Sequence, residues 1–343
     1  MPSEKLNLKN WLPTNKLANW QELPMLLFRA VFSLSRGFVD QQAILKNNLE
    51  LGIRHFKLGH AKDAIMRLKI VVWLDSKQAD AWYYMGRSYL LDRKPAKAAI
   101  AFKKALKLKP ANDEYIYMAA VASGKKTPPS QLPRSIPLPI SLEYFDQVAA
   151  DYNKVQLEQY EYQGHVLLTD AIRAALLPGR IDHVVLDLGA GTGLCGVGLR
   201  DVSSDIVGID FSAKMLDQAM ARRDESGRKL YDALITKDIR DYLNECEPAA
   251  YDVILSAGAF SYLGELDGIF RAVANVIRPG GVFAFTTEKM NEAGFRFFPD
   301  MGAFKYSRSY IEALATTYGL TIIRLDEAEV YPGYKMWLCV LKK

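Results

Sequence analysis

The reading of this chain turns on His183-Val184-Val185-Leu186-Asp187-Leu188-Gly189-Ala190-Gly191-Thr192-Gly193. A short apolar run of this kind, broken by one acidic residue, reads as a strand buried on both faces of a parallel sheet. It ends in three glycines at alternate positions. These let the backbone turn sharply and let a ligand lie against bare peptide, and the start of a following helix offers N–H groups with no partner in the helix. In an open α/β sheet the ligand crevice lies at this carboxyl end of the strands. A dinucleotide fingerprint would place its last glycine where this chain has Leu194.

Downstream the pattern alternates between the period of a strand and that of a helix. Helix 193–200, strand 205–210, helix 213–223, strand 232–236, helix 238–244, strand 251–256, helix 265–277 and strand 281–287 follow the glycines. Helices over 141–152 and 157–176 precede them. Alternation of this kind predicts right-handed crossovers and a mainly parallel sheet covered on both faces. The rhythm changes after a helix at 308–318. Leu320–Val330 and Lys335–Leu341, joined by Pro332-Gly333, predict an antiparallel hairpin.

Acidic residues close three successive strands. Asp187 precedes the glycines, Asp210 ends Ile206-Val207-Gly208-Ile209, and Asp238 follows the third strand in Lys237-Asp238-Ile239. A carboxylate at the second strand end can accept hydrogen bonds from both hydroxyls of a ribose. With the glycine loop, the segments Phe211-Ser212 and Met215-Leu216, and Arg278-Pro279-Gly280-Gly281 before the fifth strand, the chain resembles class I S-adenosylmethionine-dependent methyltransferases.

That resemblance implies a Rossmann-like seven-stranded fold with S-adenosylmethionine as cofactor. The implied contacts are Asp187, Gly189, Ala190, Gly191, Gly193, Asp210, Phe211, Met215, Asp238, Ile239 and Ser256. It places Asp238 on the adenine amine and Ile239 on the ring. Asp187 either reaches the methionine amino group through water or fixes the loop. Over about 141–343 the chain is similar to methyltransferases that carry tetratricopeptide repeats and, more distantly, to small-molecule O-methyltransferases acting on carboxylates. Tyr144-Phe145-Asp146-Gln147-Val148-Ala149 with Tyr152 resembles their lead-in helix, and Tyr162-Gln163 the segment closing over the cofactor. Phe304–Tyr310 resembles the substrate-side insertion, with Tyr306 where a histidine is expected.

Methyl transfer from a sulfonium needs alignment and exclusion of water. A carboxylate acceptor needs no general base, whereas a neutral hydroxyl or amine does. The turn after the fourth strand reads Ser256-Ala257-Gly258-Ala259, without the Asn-Pro-Pro-Tyr or Asp-Pro-Pro-Tyr of amide and nucleobase N-methylation. His165 is the candidate base, with capping or packing as its alternative role. Tyr144, Tyr152, Tyr162, Phe260, Tyr262, Phe304 and Tyr306 are the candidate acceptor wall, some of them core. No set of histidines and carboxylates shows metal-ligand spacing, so no metal is expected. Three functions remain open: O-methylation of a small-molecule or carrier-borne acid, methylation of a protein recruited by the repeats, and a non-catalytic scaffold.

The N-terminal part has a different character. Residues 1–140 carry a net charge of +13 and the remainder −8. A basic half suits nucleic acid, anionic lipid or an acidic protein, but a solvated helical surface is the reading preferred here. Trp82, Met85, Gly86 and Tyr89, then Ala98, Phe102, Ala105 and Pro110, fall at the spacing of a tetratricopeptide repeat. A weaker copy lies 34 residues earlier at Leu51, Gly52, His55, Gly59, Ala64 and Leu68, where His55 and His60 read as packing or surface residues. Asp113–Ser123 reads as one more helix. Residues 20–40 read as a degenerate first repeat, and the apolar run Leu23–Phe32 as a helix packed against the first repeat rather than lying on a membrane.

Five prolines within 124–140 predict an extended spacer. The resulting division is an N-terminal helical segment (1–44), an all-α repeat domain (45–123), the spacer (124–140) and the methyltransferase domain (141–343). The three cysteines, Cys195, Cys246 and Cys339, form no disulfide framework and favour a reducing, cytoplasmic setting. A protein partner or self-association through the repeats is expected, and neither nucleic acid nor membrane.

Overall fold

A computed structural model describes residues 40–343. The expectations for the helical segment upstream of Asp40, including the apolar run, lie outside these residues. Two compact units are present, each described by itself.

The first is all-helical: α1 (Gln41–Lys57), α2 (Ala61–Leu74), α3 (Ala79–Leu91), α4 (Pro95–Leu108) and α5 (Asp113–Ser123). Each packs on its neighbour in sequence. The reason is legible at two glycines one repeat apart. A Cβ on Gly52 would stand 2.7 Å from Leu68 Cγ, and one on Gly86 2.6 Å from a ring carbon of Phe102. The bare glycine of each first helix receives the large residue of its second, and Ala64 and Ala98 are fully buried beside them. Caps set the ends: Asp40 accepts the N–H groups of Gln42 and Ala43, and Asn112 that of Tyr115.

The second unit holds a seven-stranded sheet. Its strands are β1 (His183–Leu188), β2 (Ser203–Asp210), β3 (Ala233–Thr236), β4 (Tyr251–Ala257), β5 (Ile277–Thr287), β9 (Thr321–Tyr331) and β10 (Tyr334–Lys342), ordered β3-β2-β1-β4-β5-β10-β9. Neighbours from β3 across to β5 run parallel, and β10 is antiparallel to both β5 and β9. This is the Rossmann-like sheet with its C-terminal hairpin. The chain leaves β1 for β2 and β3 on one side and returns for β4 on the other, which opens a crevice at the carboxyl ends of β1 and β4. Under the sheet, Phe260, Phe270, Phe283 and Phe285 pack ring against ring and are fully buried. Burial of such rings stabilises the sheet by roughly 1.5–3 kcal/mol each.

Two local expectations are corrected. The helix expected over 157–176 starts only at Gly164, as α7 (Gly164–Ala175), after a π-type turn at Lys154–Gln159. Glu161 is left-handed with φ 53°, and the Tyr162 ring lies over Gly164 where a Cβ would sit 2.3 Å from its hydroxyl. The proline-rich stretch is not extended throughout. It holds 3₁₀ turns at Gly124–Lys126 and Pro129–Gln131, and α6 (Leu138–Val148) begins with Pro139 in its first turn, where a missing N–H costs nothing. A small second sheet also appears, ordered β6-β8-β7: β6 (Lys289–Met290), β7 (Phe295–Phe298) and β8 (Ala303–Ser307). No helix among the described residues is long and apolar enough to cross a membrane.

Candidate functional site

The three loop glycines all have positive φ: 78° at Gly189, 54° at Gly191 and 80° at Gly193. A Cβ on Gly189 would stand 2.5 Å from that of Ala259, and one on Gly193 2.9 Å from that of Ala219. The loop is thus glycine for conformation and for space at once. Two carboxylates flank it.

Asp210, at the end of β2, accepts from Gly191 N at 3.0 Å and from Ser212 N at 2.8 Å. Burial raises its pKa to about 6, and these two bonds and Asp146 modify that rise in opposite directions. Asp187 is buried at the end of β1. Its Oδ2 accepts from the Tyr231 hydroxyl at 2.7 Å, which in turn accepts from Gly196 N at 3.1 Å. Its Oδ1 is buried and has no partner. Burial lifts this carboxyl to about 7, the Tyr231 bond opposing and the Asp210 charge adding. An unpaired buried oxygen of an acid is costly unless something cationic meets it.

The remaining expected cofactor residues sit on the same rim. Met215 is buried, with its methyl close to Gly191, and Ile239 approaches Gly189. Ser256 donates to Leu188 O at 2.8 Å and ties β4 to β1. Asp238 caps α10 (Ile239–Glu245), accepting from Arg240 N at 2.7 Å. Phe211 is half-buried against Phe145, ring centroids 5.7 Å apart. Ala190 is buried.

Of the expected acceptor wall, the structure gathers four members. Phe145 links Tyr144, Tyr152 and Tyr262, with centroid distances of 5.1, 6.5 and 5.2 Å. Tyr162 stacks on His165 at 5.6 Å and meets Tyr331 at 5.1 Å. Burial raises the hydroxyl pKa of Tyr144, Tyr152, Tyr162, Tyr262 and Tyr331. His165 is half-buried; burial and then Arg222 lower its pKa, which keeps the imidazole neutral.

Phe260, Phe304 and Tyr306 are corrected to core residues. Phe260 lies on Phe285, Phe304 on Phe297, and the Tyr306 hydroxyl donates to Phe260 O and Gly264 O at 2.8 and 2.6 Å. A hydroxyl holding two buried carbonyls is a brace for the turn after β4, not an acid–base group.

The structure also adds residues that sequence reasoning missed. Asn153 accepts from Thr192 Oγ1 at 2.6 Å, and Asp146 accepts from Ser212 Oγ at 2.7 Å, so the lead-in segment is tied to the glycine loop and to the start of α9 (Ala213–Ala221). Glu288, buried just past β5, accepts from the Tyr334 hydroxyl and lies 3.8 Å from Lys305 Nζ. Burial raises its pKa. A polar residue directly after a strand's carboxyl end was the available signal for Glu288.

Residues 181–310 match the family model described as a methyltransferase domain. By that match, this part of the chain is a methyltransferase domain. Residues 79–112 match the tetratricopeptide-repeat model. The methyltransferase region is 28% identical over 114 residues to the ubiquinone biosynthesis O-methyltransferase of Idiomarina loihiensis, covering 33% of this chain and 45% of that protein. It is 34% identical over 131 residues to the malonyl-[acyl-carrier protein] O-methyltransferase of Salmonella typhimurium, covering 37% of this chain and 49% of that one. The chain thus spans about half the length of these curated relatives. A SAM-dependent methyltransferase from Leishmania major shares the fold, with TM-score 0.50 and 18% identity over 70% of this chain and 91% of that one.

S-adenosylmethionine fits the residues of this methyltransferase domain on two counts. The Asp187 oxygen without a partner can be met by a cationic amino group, and at Gly191 nothing stands nearer than 3.5 Å to the place of a Cβ. Among the described residues folding gathers one group able to hold an ion, His55, His60 and Asp63 of the repeat unit.

Proposed function

We propose that the chain is an O-methyltransferase acting on a small-molecule or carrier-borne acid, with its repeats docking a protein partner or a second copy. The observation that carries this reading is the convergence at one crevice of the glycine loop, Asp210, the unpaired Asp187 oxygen and the half-buried tyrosines around Phe145. When bound, S-adenosylmethionine supplies a methyl group already activated on a cationic sulfur.

The chain's own residues then position and shield. Asp210 would hold the adenosine end beside the bare backbone of the loop, with Asp238 and Ile239 on the adenine side. Asp187 takes the amino group. Tyr144, Tyr152, Tyr162, Tyr262 and Tyr331 exclude water and present electron-rich faces to the sulfonium. A carboxylate acceptor then needs alignment only, since its oxygen attacks without losing a proton. The O-methyltransferase names of the two relatives, and the absence of a Pro-Pro motif at Ser256–Ala259, support oxygen as the acceptor atom.

The second reading, a protein substrate recruited by the repeats, is favoured by the repeat match over 79–112. Incubating the full chain with methyl-labelled S-adenosylmethionine and separated fractions of a cell extract tests both. The first reading expects label in small molecules or carrier thioesters, released as methanol by mild alkali because the product is an ester. Label that stays alkali-stable on polypeptides overturns it.

A further inference from the structure

We propose that the first helical hairpin of the repeat unit binds a divalent first-row transition-metal ion through His55, His60 and Asp63. The three residues come from different local structures. His55 lies in the last turn of α1, His60 is the residue before α2, and Asp63 is in the first turn of α2. A tight reversal brings them together. Leu58 N donates to Arg54 O at 3.1 Å, Gly59 N to Phe56 O at 2.9 Å and His60 N to His55 O at 2.9 Å. Gly59 supplies the left-handed residue with φ 79°. The backbone thereby folds His60 back over His55, and one further turn of helix brings Asp63 alongside.

The result is one ligand atom from each residue, all within 4.8 Å of one another. Two donors on one tetrahedral zinc stand roughly 3.3 Å apart, given metal–ligand lengths of about 2.0 Å. Small side-chain rotations of His60 and Asp63, both exposed, close that difference. Among the described residues none of the three side chains has another hydrogen-bond or ion-pair partner. His60 makes no capping bond at the start of α2. His55 Nδ1 is buried without any hydrogen-bond partner. A buried ring nitrogen left unpaired is unfavourable, and an ion bound at that nitrogen would give it a partner.

Two imidazoles and one carboxylate select zinc, nickel, copper or cobalt over magnesium or calcium, which prefer all-oxygen shells. Three protein ligands with two of them exposed leave the remaining positions to water. The flanking cations Arg54, Lys57 and Lys62 oppose the ion's charge, so binding is moderate in strength. The bound ion joins the end of α1 to the start of α2 and stiffens the hairpin.

The test is calorimetric titration of the tag-free full chain with zinc near neutral pH, paired with thermal melts. One ion per chain with a dissociation constant on the order of micromolar is expected, together with a rise in melting temperature. His60→Ala should weaken binding ~10-fold or more, and Asp63→Asn several-fold, while circular dichroism stays unchanged because both residues are exposed. No saturable zinc binding by the wild type overturns the proposal, as does unchanged affinity in both variants.

Discussion

The proposed donor side and the proposed acceptor side of the crevice are built by different means. On the donor side, contacts come from short stretches of chain at fixed spacing: Gly189 to Gly193 turn under φ values that glycine alone adopts cheaply, and Asp210 closes on Gly191 N and Ser212 N. On the acceptor side, the wall is assembled from distant parts of the chain. Phe145 of α6 meets Tyr262 from the turn after β4, and Tyr162 before α7 meets Tyr331 at the hairpin tip. A backbone-centred site tolerates little change, whereas an aromatic wall can be retuned one ring at a time. This is how one fold keeps a donor while varying what it methylates.

The sharpest way to break that contrast is Gly189→Ala. The new methyl must avoid Ala259 at 2.5 Å in a left-handed backbone. Strain and overpacking of ~2–4 kcal/mol follow, with cofactor affinity down ~100-fold or more by calorimetry. An Ala variant that binds normally would show that the loop is not the donor cradle.

The next effect is in pH. Asp187 titrates at about 7 in the folded chain against an ordinary 3.8. A carboxyl raised by folding contributes stability that is full below its unfolded pKa and lost as pH rises through its folded one. Ligand-free melting temperature should therefore carry a downward contribution between about pH 4 and 7 that Asp187→Asn removes. Cofactor affinity should move the opposite way, rising over the same window, because a cationic amino group favours the carboxylate; the Asn variant should bind ~10-fold more weakly at pH 8. Identical pH slopes in both proteins would remove Asp187 from the account. The smallest effect is expected from Tyr331→Phe. Its hydroxyl donates to Gln156 at 3.0 Å, so acceptor KM should change by a few-fold while cofactor affinity holds. A loss of cofactor affinity instead would merge the two sides into one.

The same division explains what was legible in the sequence. His183–Leu188 begins and ends where the apolar run and the glycines place it, and the hairpin turns at Pro332-Gly333. In the repeats, the 34-residue step from Gly52 to Gly86 is a packing rule and so survives into the structure. Legibility fails where tertiary contact decides. Tyr306 looks like a pocket residue by its position in the chain, yet two carbonyls draw its hydroxyl inward. The two-residue strand Lys289–Met290 has no pattern of its own, since pairing with Tyr306 and Ser307 creates it. Glu288 meets the Tyr334 hydroxyl only after the sheet has formed. The metal group was hidden for the same reason, because the turn at Gly59 and not the spacing of its residues brings His55 to His60.

Asp210, at the end of β2 and bonded to the glycine loop, is proposed to make this crevice a donor site. Calorimetric titration of S-adenosylmethionine into the full chain and into Asp210→Ala tests it directly. The account predicts one-to-one binding by the wild type and a loss of ~100-fold or more in the variant, the worth of a charged acceptor serving a ligand and two loop N–H groups at once. Wild-type protein that does not bind, or a variant that binds equally well, would contradict it.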